Sequence, residues 1–414
     1  MVKIGVMTDL HLGVRPYGLE EREEDFYDQY MIAINTLIEN NINILILGGD
    51  IFDQPRPSPK ALRVFSEGLQ LLFNHNVEVL NIVGNHAMIQ APGFVTADEF
   101  LLTALNSDKY HLLDKDYFYN SGVFIAGLPY YFNYQLDDLI NEIDNLNHIA
   151  GKSNNQSILV LHQSFKEFCG FTGEKLSIND INVDNFDLII CGHIHEKKII
   201  EVNNNTVYLQ PGSLERLSVA EARDEEINGK GVFIFEGEDI NIETISNAFL
   251  RLKSDRQFLI SDMYMSNKDK IEEIRNEILE GVRYCRKPPI MFLNVHDSSK
   301  SFQQLIELTK DLKDDCLTVN FNYFDESVQE SDFIIDNKDL PSAREVLRLA
   351  LNPLEEDEAQ LGLDLFDLLK DEKDASKLLE DFLDKKRKKN VPEENVMSYQ
   401  DDEINEIFEY FENL

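Results

Sequence analysis

Short apolar runs rich in branched residues recur along residues 1–245, and each ends in a polar cluster. Five share this grammar: KIGVMTDLH (3–11), ILILGGD (44–50), VLNIVGNH (79–86), ILVLH (158–162) and LIICGHIH (188–195). The runs are nearly continuous in apolar character, as strands covered on both faces are. Helical stripes separate several of them, at EDFYDQYMIAINTLIE (24–39) and KALRVFSEGLQLLF (60–73). Strands alternating with helices predict an α/β layered fold. Ligands of such sheets bind at the carboxyl ends of the strands, which is where the Asp, Asn and His residues of these runs fall. The runs TVYLQ (206–210) and GVFIF (231–235) predict the closing strands of this first domain.

A smaller α/β pattern follows over 246–325. Its strands are expected at 258–260, 290–295 and 317–321, with helices at 268–279 and 302–312. Residues 326–340 read as a linker. Beyond Pro341 three helices are expected, roughly 342–351, 355–370 and 374–389. They give a helix-loop-helix segment over 341–390 and an acidic helical tail over 391–414. Apolar stripes mark two of these helices, at Leu361, Leu363, Leu365, Phe366 and Leu369 and at Leu378, Leu379 and Phe382.

The 414 residues carry a net charge of −37, with 76 acidic against 39 basic side chains. Residues 326–414 account for −15 of this, from 26 acidic and 11 basic residues, so the excess is spread over the whole chain. Affinity for nucleic acid comes mostly from Lys and Arg neutralising phosphates. A non-catalytic nucleic-acid-binding module is therefore disfavoured, and any nucleic-acid substrate must be held by metal ions, local basic spots or a partner. No apolar run approaches the roughly 20 residues of a membrane helix, and the N-terminus lacks the shape of a signal peptide. Four scattered cysteines without CxxC spacing suit free thiols in a reducing cytoplasm.

The strand ends supply the chemistry. Asp9, Asp50 and Asn85 offer oxygen donors, and His11, His162, His193 and His195 offer imidazoles. This mixture suits manganese, iron or zinc better than calcium. A bridging carboxylate such as Asp50 could serve two ions roughly 3.5–4 Å apart, clamping a phosphate. Singly, a strand-end Asp is usually a turn or a helix cap. Together, five of nine histidines sit in five strand-end motifs in the order D-x-H, G-D, G-N-H, H, G-H-x-H. The other four, His75, His111, His148 and His296, lie in no such context and read as structural or surface residues.

This order resembles the calcineurin-like metallophosphoesterases. DLHLG (9–13), GDIFDQPRPSP (49–59) and YLQPGSLER (208–216) narrow it to the SbcD and meiotic-recombination-eleven nucleases, most of all their archaeal branch. The resemblance is strong over 1–245 and extends in layout over 246–325. It implies a layered two-sheet core with helices outside, a small α/β DNA-capping domain and a C-terminal helical segment. It also implies two manganese ions, with magnesium or other divalent ions possible. One would be held by Asp9, His11, Asp50 and His195, the other by Asp50, Asn85, His162 and His193. His86 would act near the scissile phosphate. The implied activity is 3′-to-5′ exonuclease and end-proximal endonuclease action on double-stranded DNA ends in double-strand-break repair. The implied partner is an SMC-like, zinc-hook ABC ATPase whose coiled-coil base meets Leu361, Leu365, Phe366, Leu369, Leu378 and Phe382. A homodimer through 60–73 and 94–106, and a cytoplasmic, nucleoid-associated location, are also implied.

Two departures and one ambiguity stand out. Ala87 replaces the Asp that usually follows Gly-Asn-His in the family. Asp53 stands where many archaeal relatives have His, though the SbcD branch has Asp, and it is expected to support His86 in place of the missing acid. Arg15 and the RPSP loop, with Arg56 and Ser58, are either contacts to the DNA backbone or, for the loop, a rigid turn before a helix. The competing readings are a phosphodiesterase or phosphatase of the same fold on another substrate, and a catalytically weakened scaffold. Seven intact ligand positions speak against the scaffold.

Overall fold

The computed structural model describes residues 2–324 apart from 89–94, 106, 121, 154, 170–174, 265–275, 277–278, 284, 297–309 and 311. The expected linker, helix-loop-helix and tail, including Leu361, Leu365, Phe366, Leu369, Leu378 and Phe382, lie outside the described residues, as do most of the helices expected at 268–279 and 302–312. Each apolar run forms a strand: β1 (Lys3–Met7), β2 (Ile44–Leu47), β3 (Glu78–Asn81), β7 (Gln156–His162) and β8 (Leu188–Gly192). The helical stripes become α1 (Glu20–Glu39) and α2 (Pro59–Asn74), the latter capped by the Ser58 hydroxyl. The remaining strands of the first 252 residues are β4 (Tyr110–Leu112), β5 (Asp116–Asn120), β6 (Val123–Gly127), β9 (Lys198–Val202), β10 (Thr206–Gln210), β11 (Lys230–Glu236) and β12 (Phe249–Leu252).

They form two six-stranded sheets, in the orders β12-β11-β1-β2-β3-β4 and β5-β6-β7-β8-β10-β9. The alternation of a strand explains why both faces had to be apolar. In β2, Ile44 and Ile46 point into the core between the sheets, with Ile158, Val160, Leu188 and Ile190 opposite. Leu45 and Leu47 point the other way, into a second cluster with Ile34 and Leu37 of α1 and Phe65 and Leu69 of α2. On the far side of the second sheet, Leu159, Leu161 and Ile189 meet Leu139, Ile143 and Leu146 of α4 (Leu136–Ala150). The layers are therefore helix, sheet, sheet, helix.

A third sheet is wholly parallel: β13 (Phe258–Tyr264), β14 (Ile290–His296) and β15 (Thr318–Phe324). It belongs to the same compact unit, Met1–Asp325. A buried ionic network ties it to α1. Arg22, with no exposed surface, bonds Asp25 at 2.7 Å, Glu215 at 3.3 Å and the Arg216 carbonyl at 2.6 Å. Its guanidinium lies 5.2 Å from the centre of the Phe258 ring. Asp25 also accepts from Arg256 at 2.5 Å and from Lys287 at 2.8 Å. Burial alone would raise the pKa of Asp25, but the Arg256 and Lys287 hydrogen bonds win and hold it below the usual carboxylate range. Removing one partner of such a network strands the others in a poorly solvated place. Arg22→Ala is expected to lower unfolding free energy by about 3–5 kcal/mol in a denaturant titration; a loss under about 1 kcal/mol would show that the network carries no net stability.

Candidate metal centre

The carboxyl ends of β1, β2 and β3, parallel to one another, meet those of β7 and β8. Asp9 and His11 follow β1, Asp50 follows β2, Asn85 and His86 follow β3, His162 ends β7, and His193 and His195 follow β8. Four of these residues adopt left-handed backbone angles: φ is 53° at Asp9, 43° at His11, 48° at Asp50 and 87° at His193. Such angles are uncommon outside glycine and concentrate at functional sites. The first two loops hold each other in this shape, Leu10 and His11 donating to the Asp50 carbonyl at 2.9 and 3.0 Å. Gly84 is needed for close approach, because a Cβ there would stand 2.1 Å from Asp50 Oδ1. Gly49, at φ 93°, is needed twice over, since its Cβ would stand 2.4 Å from His162 Nδ1.

Donor atoms of the seven expected ligands converge in two places, and a third group, His11, Asp53 and His86, lies beside them. In one, Asp9, His11 and His195 gather, with His11 Nε2 and His195 Nε2 3.0 Å apart. In the other, Asp50, His162 and His193 gather around Asn85. Asn85 Oδ1 is 3.0 Å from His162 Nε2 and 2.9 Å from His193 Nδ1, and Asp50 Oδ2 is 3.1 Å from His162 Nε2. Asp50 Oδ2 also lies 4.0 Å from His11 Nε2, so this carboxylate faces both clusters. Separations near 3 Å are the edges of a coordination shell with bonds of about 2.1 Å. Asp9 Oδ2 is buried and has no hydrogen-bond partner among the described residues, as expected of a ligand atom. The donor set therefore fits divalent ions.

The electrostatics agree. Burial disfavours charge on His162, but the adjacent Asp50 carboxylate more than offsets this and raises its pKa. Burial likewise opposes ionisation of Asp50, yet His162 and the other imidazoles push its pKa far down. His193 goes the other way: burial and then the charge on His162 lower it to about 4, leaving a neutral ring with a free lone pair. Partners fix the tautomers. The Gly48 carbonyl accepts from His162 Nδ1 at 2.8 Å, and Glu221 accepts from His195 Nδ1 at 3.1 Å, so Nε2 faces the cluster in both rings.

His86 borders this centre, its ring centroid 4.7 Å from that of His11. Its N–H donates to Asp50 Oδ1 at 3.0 Å. Asp53 does hold the ring, but through its main chain: the carbonyl accepts from His86 Nδ1 at 2.7 Å, while the carboxylate is 3.9 Å from that nitrogen and 3.5 Å from His11 Nδ1. Ala87 is buried, and the ring is anchored without any acid at that position. Arg15 and Arg56 line a groove of about 510 Å³ that includes Asp53. Arg15 is paired with Glu23 at 2.5 Å, and the Ser58 hydroxyl accepts from the Ala61 N–H at 3.1 Å, capping α2. His111 and His296 pair with Glu78 and Asp262, outside the centre. Sequence reasoning missed Glu221 and the Gly48 carbonyl, for which no local motif exists.

Residues 2–197 match the calcineurin-like phosphoesterase family. The match covers 196 of the 414 residues. Among its relatives are archaeal DNA double-strand break repair proteins Mre11. The one from Methanococcus maripaludis is 28% identical over 343 residues, covering 81% of this chain and 90% of the relative. That from Methanocaldococcus jannaschii is 28% identical over 310 residues, covering 74% and 79%. That from Thermoplasma acidophilum is 29% identical over 298 residues, covering 70% and 75%. The chain is a metal-dependent phosphodiesterase similar to the Mre11 and SbcD proteins, and that likeness implies a dinuclear divalent site. Among the described residues no helix is long and apolar enough to cross a membrane.

Metal entry into this phosphoesterase must displace protons. His162, its pKa raised in the ion-free protein, carries a proton at neutral pH that a ligand nitrogen cannot keep. Ion affinity should therefore rise as pH climbs toward that raised pKa and level off above it. Calorimetric manganese titrations at pH 7 in two buffers of different ionisation enthalpy should show net proton release; release indistinguishable from zero would contradict the protonated His162.

Proposed function

We propose that this phosphoesterase is a nuclease that processes DNA ends in double-strand-break repair. The observation that carries the reading is the pair of donor clusters with the Asp50 carboxylate facing both and His86 fixed at their rim, in a chain that aligns along most of its length with Mre11 proteins. Asp9, His11, Asp50 and His195 would hold one ion, and Asp50, Asn85, His162 and His193 the other; manganese is the proposed metal, with magnesium or another divalent ion as substitutes. Such a pair supplies Lewis acidity toward a phosphodiester and its attacking water. With the Nδ1 proton spent on the Asp53 carbonyl, His86 would act as the imidazolium, its Nε2–H neutralising a phosphate oxygen or passing its proton to the leaving oxygen and leaving the ring neutral. Both exonuclease action from the 3′ end and end-proximal endonuclease action use this one centre.

The rest of the proposal concerns partners. A net charge of −37 repels DNA at long range. Arg56, exposed on the groove beside Asp53, is a local cation for the backbone; Arg15 would have to exchange Glu23 for phosphate. A larger basic surface would come from an SMC-like ABC ATPase, docked on the apolar stripes of 361–369 and 378–382. Pairing of two copies is supported by Val95, Phe100 and Leu102, which are 61%, 56% and 38% exposed at and beside α3 (Ala97–Ala104).

End-labelled duplex DNA with manganese tests the reading. The native protein, alone or with its ATPase and ATP, should shorten the label. His86→Ala should be slower by about 10²–10⁴-fold. Asp53→Ala, which leaves the carbonyl in place, should lose less than His86→Ala. Hydrolysis of small phosphate esters with no action on DNA would overturn the nuclease reading.

A further inference from the structure

His162 and His195 are steered by different groups. A main-chain carbonyl holds His162, whereas a side chain holds His195: Glu221 Oε1, in the first turn of α5 (Val219–Asn228). That carboxylate is itself fixed on every side. Its Oε2 accepts from Ser213 Oγ at 3.2 Å, the Leu217 N–H at 3.3 Å and Lys230 Nζ at 3.4 Å. Lys230, almost fully buried, also donates to Ser213 Oγ and to the His195 carbonyl, both at 2.8 Å. A carboxylate accepts and does not donate, so His195 carries a proton on Nδ1, which leaves Nε2, 3.0 Å from His11 Nε2, as its ligand atom. α5 is held from its other side as well, because Ala222 and Val219 pack against Phe258, Ile290 and Phe292 of the third sheet.

We propose that Glu221 is the positioning residue of the cluster formed by Asp9, His11 and His195: it sets the tautomer and orientation of His195 and so the hold of that cluster on its ion. The second cluster has no such dependence, since among the described residues no hydrogen bond or ion pair joins Asn85, His162 or His193 to Glu221. Removing the carboxylate should therefore split the two ions. Partners of this kind, when removed, lower metal affinity by about 10–100-fold.

The inference rests on the metal centre, not on DNA as substrate, and the test reads binding. Manganese is titrated into native protein, Glu221→Ala and the isosteric Glu221→Gln, followed by calorimetry and by the spectrum of free manganese. Expected are two ions bound by native protein, one weakened by about 10–100-fold in Glu221→Ala, and an intermediate loss in Glu221→Gln, whose amide oxygen still accepts. Nitrogen chemical shifts of the His195 ring should report the Nδ1–H form in native protein and a mixture in Glu221→Ala. Native-like binding of both ions by the variants overturns the proposal, as does an equal weakening of both. Should Glu221→Ala not fold, Glu221→Leu, of similar size and without an acceptor, takes its place, and native-like binding of both ions by it overturns the proposal. A native protein that takes up no ion overturns the metal centre along with it.

Discussion

The carboxylate of Asp50 is the constraint around which the centre is built. It is 2% exposed, and a buried anion is tolerated only among compensating groups. One oxygen takes the His86 N–H; the other faces His162 at 3.1 Å and His11 at 4.0 Å. Placing one short side chain within reach of three loops forces the local backbone. Gly84 must have no side chain, and Gly49 and Asp50 must both turn through left-handed angles. The same carboxylate joins the two donor clusters and, through the main chain of residue 86, fixes where His86 begins.

This geometry is sustained by what lies beneath it. Left-handed angles at non-glycine residues cost roughly 1–3 kcal/mol each and persist only where the surroundings over-determine them. Here the surroundings are two sheets whose central strands are buried on both faces, so the strand ends cannot drift without disturbing packed Ile44, Ile46, Ile158 and Ile190. The apolar stems and polar tips of the five runs are thus one device: the stems supply rigidity, and the tips carry the charge that rigidity makes tolerable.

That device is why so much was legible in the sequence. A parallel strand covered on both faces must be a continuous apolar run, and a catalytic strand end must be polar, so the runs ending at Asp9, Asp50, His86, His162 and His193 were readable from neighbouring residues alone. Strand β6, Val123–Gly127, is just as apolar but ends in no polar cluster, and the edge strand β9 has the mixed character of KIIEV; neither carries a comparable signal. Asp53 was expected to support His86 through its carboxylate, but a side-chain identity says nothing of the carbonyl that makes the bond. Glu221 lies 26 residues from His195 and on a helix, so only the fold brings the two together.

The sharing of Asp50 is the claim on which the other assignments rest, and counting metal tests it most directly. Manganese-loaded protein, desalted and analysed for metal per chain, should hold two ions in the native form. Asp50→Asn keeps the shape of the side chain and removes its charge, and it should lose both ions together. A variant that still held one ion per chain at native affinity would show that the clusters are independent, and the account of a single shared centre would be wrong.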